Sequence, residues 1–137
     1  MKRERFYTFS KSFALDLVEH LPKEEAASFI EQLYHLLKAG GYVVVQTPNM
    51  GSMVGAYLRY NDLSHEFGLT ENTALSLFAL GGFEFNKIEV LPSWNATTTA
   101  GYLREIYLRF LHRIYFLVEG SNRPRIVTKN LLIIARK

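Results

Sequence analysis

Two carboxylates and an imidazole fall within five residues near the start of the chain, in the segment Asp16-Leu17-Val18-Glu19-His20. Such groups can act as a general base or hold a divalent cation through oxygen and nitrogen ligands. The segment lies where a predicted strand gives way to a helix, a position at which functional side chains often occur. The same residues also suit a structural junction in which Glu19 and His20 cap the helix that follows.

Two further segments bring polar side chains to the ends of predicted strands. Asn49, in Thr47-Pro48-Asn49, could contact a substrate through its side-chain amide or simply form an Asx turn. His65 lies in a long loop over the same edge, where an imidazole that titrates near neutral pH suits a general base or a metal ligand, or is a surface residue. Because open α/β sheets bind ligands at the carboxyl ends of their strands, the three segments together predict a site there.

The elements that must position these groups alternate between strand and helix. This alternation predicts an α/β fold with a partial doubly wound sheet in a single domain. Pro22 suits the first turn of the first helix, and Gly40-Gly41 suits its end. Residues 42–45 are apolar on both faces, which predicts a strand covered on both sides. The predicted strands are residues 13–18, 42–47, 83–91 and 126–135, and the predicted helices are residues 23–38, 70–80 and 102–118.

Composition narrows the classes of function. The 137 residues are 48% hydrophobic, enough for one core, and the absence of cysteine excludes disulfides and thiolate metal sites. The net charge of +3 is spread along the chain and does not favour nucleic acid as a partner. The sequence has neither the pattern of a signal peptide nor an apolar run that could cross a bilayer, so we expect a soluble, cytoplasmic protein.

Several motifs, in their order and spacing, resemble class I methyltransferases that depend on S-adenosylmethionine. The resemblance covers nearly the whole chain and implies the fourth to sixth strands of that fold, with an antiparallel inserted strand from Ile126. The first three strands, with the glycine-rich loop and the acidic residue for the ribose, have no counterpart here. The resemblance therefore implies the C-terminal half of such a domain, without its cofactor-binding half. The motifs are residues 16–22, Leu36-Leu37-Lys38-Ala39-Gly40-Gly41, residues 43–49, His65 and Gly81-Gly82-Phe83.

The resemblance also implies roles for individual residues. Leu15 and Asp16 would touch the methionine end of the cofactor, and Asp16 or His65 would be the base at the transfer site. Members that methylate small-RNA ends or quinone precursors hold a divalent cation with a similar segment. This implies a magnesium or manganese site at Glu19, His20 and His65, with Asp16 standing where those members have glutamate.

Two functions remain open at this point. The first is methyl transfer to a hydroxyl-type acceptor, a small molecule or a glycan, by a longer or complemented enzyme; the isolated chain would be inactive and would not bind S-adenosylmethionine measurably. The second is a non-catalytic binding or dimerisation module derived from a methyltransferase. In that fold the first predicted strand normally pairs with a strand missing here. We therefore expect residues 6–17 to pair with a second copy or with the missing half, or to rearrange.

The second long predicted helix, residues 102–118, has a wide apolar surface interrupted by Arg104, Arg109 and Arg113. Such a helix could pack on the sheet or in a dimer interface. Its mixture of arginines and aromatic residues also allows contact with a membrane surface or a lipid-linked substrate.

Overall fold

Four strands and four α-helices build the part of the chain that the structure, a computed structural model, describes: residues 8–94 and 96–137. Single turns of 3-10 helix follow the first strand, at Val18–His20, and precede the third, at Phe85–Lys87. The elements are β1 (Phe9–Leu15), α1 (Lys23–Leu36), β2 (Leu37–Pro48), α2 (Gly55–Tyr60), α3 (Glu71–Leu80), β3 (Ile88–Pro92), α4 (Thr99–Glu119) and β4 (Asn130–Arg136).

The strands form one open sheet in the order β1-β2-β4-β3. Strand β1 runs parallel to β2, whereas β4 is antiparallel to both β2 and β3. Strands β1, β2 and β3 therefore point the same way, and their carboxyl ends meet at one edge. The predicted α/β class and the predicted antiparallel inserted strand are both confirmed.

Helices α1 and α3 cover one face of this sheet. Val43 and Val45 of β2 lie beside Ala135 and Ile133 of β4 on that face, and all four side chains are fully buried. The opposite face is more open: Phe13 is 63% exposed, and Val44 and Ile134 are only half-buried. The prediction that β2 is covered on both sides is therefore wrong for the described residues.

A capping box fixes the start of α3. Thr73 donates its backbone N–H to Thr70 Oγ1 at 3.4 Å, and Thr70 donates its own N–H to Thr73 Oγ1 at 2.8 Å. These bonds satisfy backbone donors that have no partner within the helix. The predicted helix from Thr70 to Leu80 is confirmed, with Thr70 as its N-cap.

Replacing Thr70 with alanine is expected to lower the free energy of unfolding by about 1 kcal/mol, because the N-cap acceptor is lost. Urea denaturation followed by circular dichroism measures this change. Asn72→Ala, at an exposed position in the same helix turn, is the matched control and should stay within about 0.5 kcal/mol of the unchanged protein. Equal losses for both variants would contradict the capping role.

Several element boundaries differ from the prediction for local reasons. Strand β1 ends at Leu15 rather than Val18 because Asp16 adopts a left-handed backbone, with φ of 50°. Helix α1 ends at Leu36, and β2 begins at once, so Gly40 and Gly41 lie inside a strand instead of ending the helix. Strand β3 covers only Ile88–Pro92, β4 begins at Asn130, and the short helix α2 lies in the segment predicted to be a loop.

Helix α4 does not lie flat on the sheet. Along its 21 residues, only Glu105 and His112 are buried. The described residues therefore do not support the alternative in which this helix packs on the sheet. No helix in the described part of the chain is both long and apolar enough to cross a membrane. The large apolar residues exposed on α4 are Tyr102, Leu103, Ile106, Tyr107, Phe110, Ile114, Tyr115, Leu117 and Val118.

Candidate functional site

A buried carboxylate lies where the carboxyl ends of β1 and β2 meet. Glu19 is only 2% exposed, and its Oε2 accepts a hydrogen bond of 3.1 Å from Thr47 Oγ1 at the end of β2. Burial raises the pKa of the Glu19 carboxyl above its usual value, because the charged form loses hydration, and the nearby charge of Asp16 adds to this. Hydrogen bonds from Thr47 and the backbone oppose the shift.

Two histidines converge on this carboxylate. The ring centroids of His20 and His65 lie 4.7 Å apart. Glu19, His20 and His65 each offer one ligand atom, and these three atoms all lie within 4.8 Å of one another. The structure thus brings together the three residues that were predicted as metal ligands, from two segments more than forty positions apart.

Hydrogen bonds define which nitrogen of each histidine carries a proton. His65 Nδ1 lies 3.0 Å from the backbone oxygen of Leu58, and His20 Nδ1 lies 2.9 Å from Ser64 Oγ. A carbonyl can only accept, and the Ser64 hydroxyl already donates its proton to Asp62 Oδ1 at 2.6 Å. Both Nδ1 atoms therefore donate, and in the neutral form of each ring Nε2 keeps a lone pair. This is the arrangement in which an imidazole binds a cation.

Hydrogen bonds from Arg59 of α2 and within the loop itself hold the loop that carries His65. Arg59 of α2 donates from its guanidinium to the backbone oxygens of His65 and Glu66, the latter at 2.6 Å. Ser64 donates its backbone N–H to Asp62 Oδ1 at 2.9 Å, and the hydrogen bonds from Ser64 hold the pKa of Asp62 below its usual value. These supporting residues were missed in the sequence, although Asp62-Leu63-Ser64 has the spacing of an Asx turn.

Asp16 and Leu15 lie outside this group of three, at the exposed end of β1. Asp16 accepts hydrogen bonds from Gln46 Nε2 at 3.3 and 3.2 Å, and Leu15 is 57% exposed. Both side chains are accessible, as contact with a cofactor or an acceptor requires. The two predicted catalytic residues therefore differ in setting, since Asp16 faces solvent and His65 belongs to the histidine pair.

Asn49 is placed differently from the predicted substrate contact. It is 1% exposed, and its Nδ2 donates to the backbone oxygens of Ile126 at 3.0 Å and Thr128 at 2.9 Å. Its Oδ1 accepts from the N–H of Gly51 at 2.8 Å, which is the Asx turn named as the alternative. Both amide hydrogens are used inside the protein, so we correct the role of Asn49 from substrate contact to structural support.

A cavity of about 590 Å³ opens at the same edge of the sheet, beyond α2. It lies between α4 and the residues 52–58, over the end of β3 and the start of β4. Leu58 links the two features, since its side chain lines the cavity while its backbone oxygen holds His65. Sequence periodicity gave no sign of this cavity, because its walls come from four separate segments.

The chain is similar in structure to several methyltransferases that depend on S-adenosylmethionine. One from Archaeoglobus fulgidus has a TM-score of 0.64 and 20% identity, and the match covers 96% of this chain and 60% of that one. One from Thermotoga maritima has a TM-score of 0.61 and 15% identity, over 100% of this chain and 60% of that one. One from Mesorhizobium loti has a TM-score of 0.55 and 18% identity, over 96% of this chain and 62% of that one.

These likenesses show that the chain has the Rossmann-like fold of class I methyltransferases. The chain spans about 60% of the length of the first two proteins it matches. No protein-family model and no curated protein matches the sequence.

Proposed function

We propose that this chain is the acceptor-facing, C-terminal half of an S-adenosylmethionine-dependent methyltransferase that acts on a hydroxyl-type acceptor. The cofactor-binding half would belong to a longer form of the protein or to a partner. The observation that carries the proposal is the convergence of Glu19, His20 and His65 at the carboxyl edge of a methyltransferase fold. This edge is where open α/β sheets bind their ligands.

The uncovered side of the sheet supports completion by another half. Strand β1 pairs with β2 on one side, and Phe9, Phe13 and Leu15 are all exposed along it. A strand of a mainly parallel sheet is normally covered on both faces, and the free edge of an outer strand can pair with a further strand. A cofactor-binding half could pair with the free edge of β1 and cover these apolar side chains.

The cation proposed for this group is magnesium or manganese. The carboxylate suits either ion, whereas imidazoles are preferred by transition metals, so manganese is the better match of the two. Thr47 orients Glu19, while Ser64 and the backbone of Leu58 orient the two rings so that each Nε2 lone pair is free. A bound cation would orient an acceptor hydroxyl and favour loss of its proton.

The remaining residues of the edge would complete the transfer site. When bound, S-adenosylmethionine would supply an electrophilic methyl group on sulfur, and a carbon–oxygen bond to the acceptor would form as the carbon–sulfur bond breaks. Asp16 would accept the proton of the acceptor hydroxyl, a role supported by its accessible carboxylate, which Gln46 holds. Leu15 beside it would offer an apolar contact to the methionine end of the cofactor, and His65 would hold the cation.

The test supplies a cofactor-binding half, either within a longer form of the protein or as a partner. We expect the completed protein to transfer labelled methyl groups from S-adenosylmethionine to small hydroxyl compounds. Asp16→Asn should lower kcat by roughly 100-fold or more, since the carboxylate base is lost while the shape is kept. Glu24→Gln, an exposed acid on α1, is the matched control and should leave kcat unchanged.

A completed protein that shows no affinity for S-adenosylmethionine in calorimetry would overturn the proposal. That outcome would favour the alternative, a non-catalytic module derived from a methyltransferase. Full activity of Asp16→Asn would remove Asp16 from the role of base and leave His65 as the candidate.

A further inference from the structure

The cavity under α4 has the size of a small-molecule site. Its volume of about 590 Å³ lies within the range of roughly 300–1,000 Å³ that ligand pockets occupy. One wall is α4, the facing wall is the segment 52–58, and the floor is formed by Ser93 and Trp94 after β3 and by residues 127–130 at the start of β4.

Helix α4 is held over this cavity by two buried polar side chains. His112 Nδ1 lies 2.7 Å from the backbone oxygen of Leu108 and therefore donates to it, while His112 Nε2 accepts from the N–H of Met53 at 3.3 Å. Glu105 Oε1 accepts from the N–H of Ala96 at 2.9 Å. Both nitrogens of His112 are thus engaged. The contact between His112 and Met53 joins the two walls without filling the space between them.

Much of the lining is apolar, although the buried Glu105 and His112 also belong to it. Leu58, Leu108, Leu111 and Val127 contribute apolar surface, whereas the cations Arg104 and Lys129 are exposed. Apolar walls left without contacts forgo packing energy that an apolar occupant would restore.

Ser52 belongs to the lining, but its Oγ is enclosed by protein and is not open to an occupant of the cavity. The cavity therefore offers an occupant mainly apolar contacts.

We infer that this cavity binds a small, mainly apolar molecule. Its identification as the methyl acceptor rests on the proposed function, and on Leu58, which lines the cavity and also positions His65. Binding itself requires neither the methyl donor nor a cation.

The only tryptophan of the chain reports on this cavity. Trp94 lies in the lining, and the Arg109 guanidinium lies 4.4 Å from its ring centroid. We expect 1-decanol, an apolar chain with one hydroxyl, to shift Trp94 emission to shorter wavelength with a saturable, one-site dependence. A change that rises linearly without saturation would overturn the inference.

Variants that fill the cavity test where the probe binds. Leu108→Phe should weaken 1-decanol binding by roughly tenfold or more, because the larger ring takes up the space. Leu117→Phe is the matched control on the same helix, because Leu117 is 79% exposed and lies outside the lining. The affinity of this variant for 1-decanol should stay within about twofold of that of the unchanged protein. Leu111→Phe is the second filling variant should Leu108→Phe fail to fold. Unchanged affinity in a folded filling variant would contradict the inference.

If 1-decanol bound saturably but the protein transferred no methyl group, the cavity would remain a binding site and only the proposed methyltransferase function would be rejected.

Discussion

Manganese is expected to raise the Tm of the purified protein by about 8 °C at a hundredfold excess over its Kd, and replacement of either histidine ligand is expected to abolish the shift. Binding to the folded state alone produces the shift, and His20→Ala or His65→Ala removes one of three converging ligand atoms. Thermal unfolding with and without manganese measures the shift, and electron paramagnetic resonance of manganese follows binding directly.

His35→Ala is the matched control for the manganese experiment. His35 is exposed on α1, where it lies 3.8 Å from Glu31, and it is remote in sequence from the converging group. Its replacement should leave the manganese shift intact. If His65→Ala kept the shift of the unchanged protein, the cation would be bound elsewhere and the proposed ligand set would be wrong.

Glu19→Gln distinguishes a ligand from a structural residue. Without manganese, the variant should be at least as stable as the unchanged protein, because a buried carboxylate loses hydration and an amide oxygen can still accept from Thr47. With manganese, it should lose the stabilisation. A residue kept only for packing or for the junction before α1 would show the opposite pattern, with a loss of stability that manganese does not affect.

The sequence predicted the fold because its signals are local and agree with one another. The apolar period of residues 23–36, the β-branched run at 43–45 and the cap at Thr70 each specify one element. The antiparallel place of β4 came from the resemblance alone, since periodicity does not give strand direction. The end of β1 was missed because the backbone of Asp16 is left-handed. A glycine at this position would have indicated such a conformation, whereas an aspartate does not.

The site was predictable only in part, because some of its contacts are local in sequence and others depend on tertiary structure. Glu19 and His20 adjoin in sequence, and the carboxyl-edge rule brought His65 near them. Leu58 and Arg59, which hold His65 and its loop, come from α2, and they were missed because α2 was predicted as a loop. The cavity depends on how far α4 stands from the sheet, and tertiary contacts alone decide this.

Asn49→Ala is expected to lower the free energy of unfolding by about 4 kcal/mol, although the side chain carries no charge. The amide makes three hydrogen bonds, and its loss leaves the backbone oxygens of Ile126 and Thr128 without this donor in the interior. An unsatisfied buried polar group costs about 1–3 kcal/mol, and the vacated volume adds to this. Urea denaturation of the purified variant measures the loss.

Asn61→Ala serves as the control for Asn49→Ala, because Asn61 is exposed at the end of α2 and should change stability by about 0.5 kcal/mol at most. Thr128, one of the two backbone acceptors of Asn49, also lines the cavity, so Asn49→Ala should weaken 1-decanol binding indirectly as it lowers stability. A variant of unchanged stability with weakened binding of a methyl acceptor would restore Asn49 as a substrate contact. The stability of Asn49→Ala therefore decides whether Asn49 is a structural residue beneath the site or a residue that contacts the substrate.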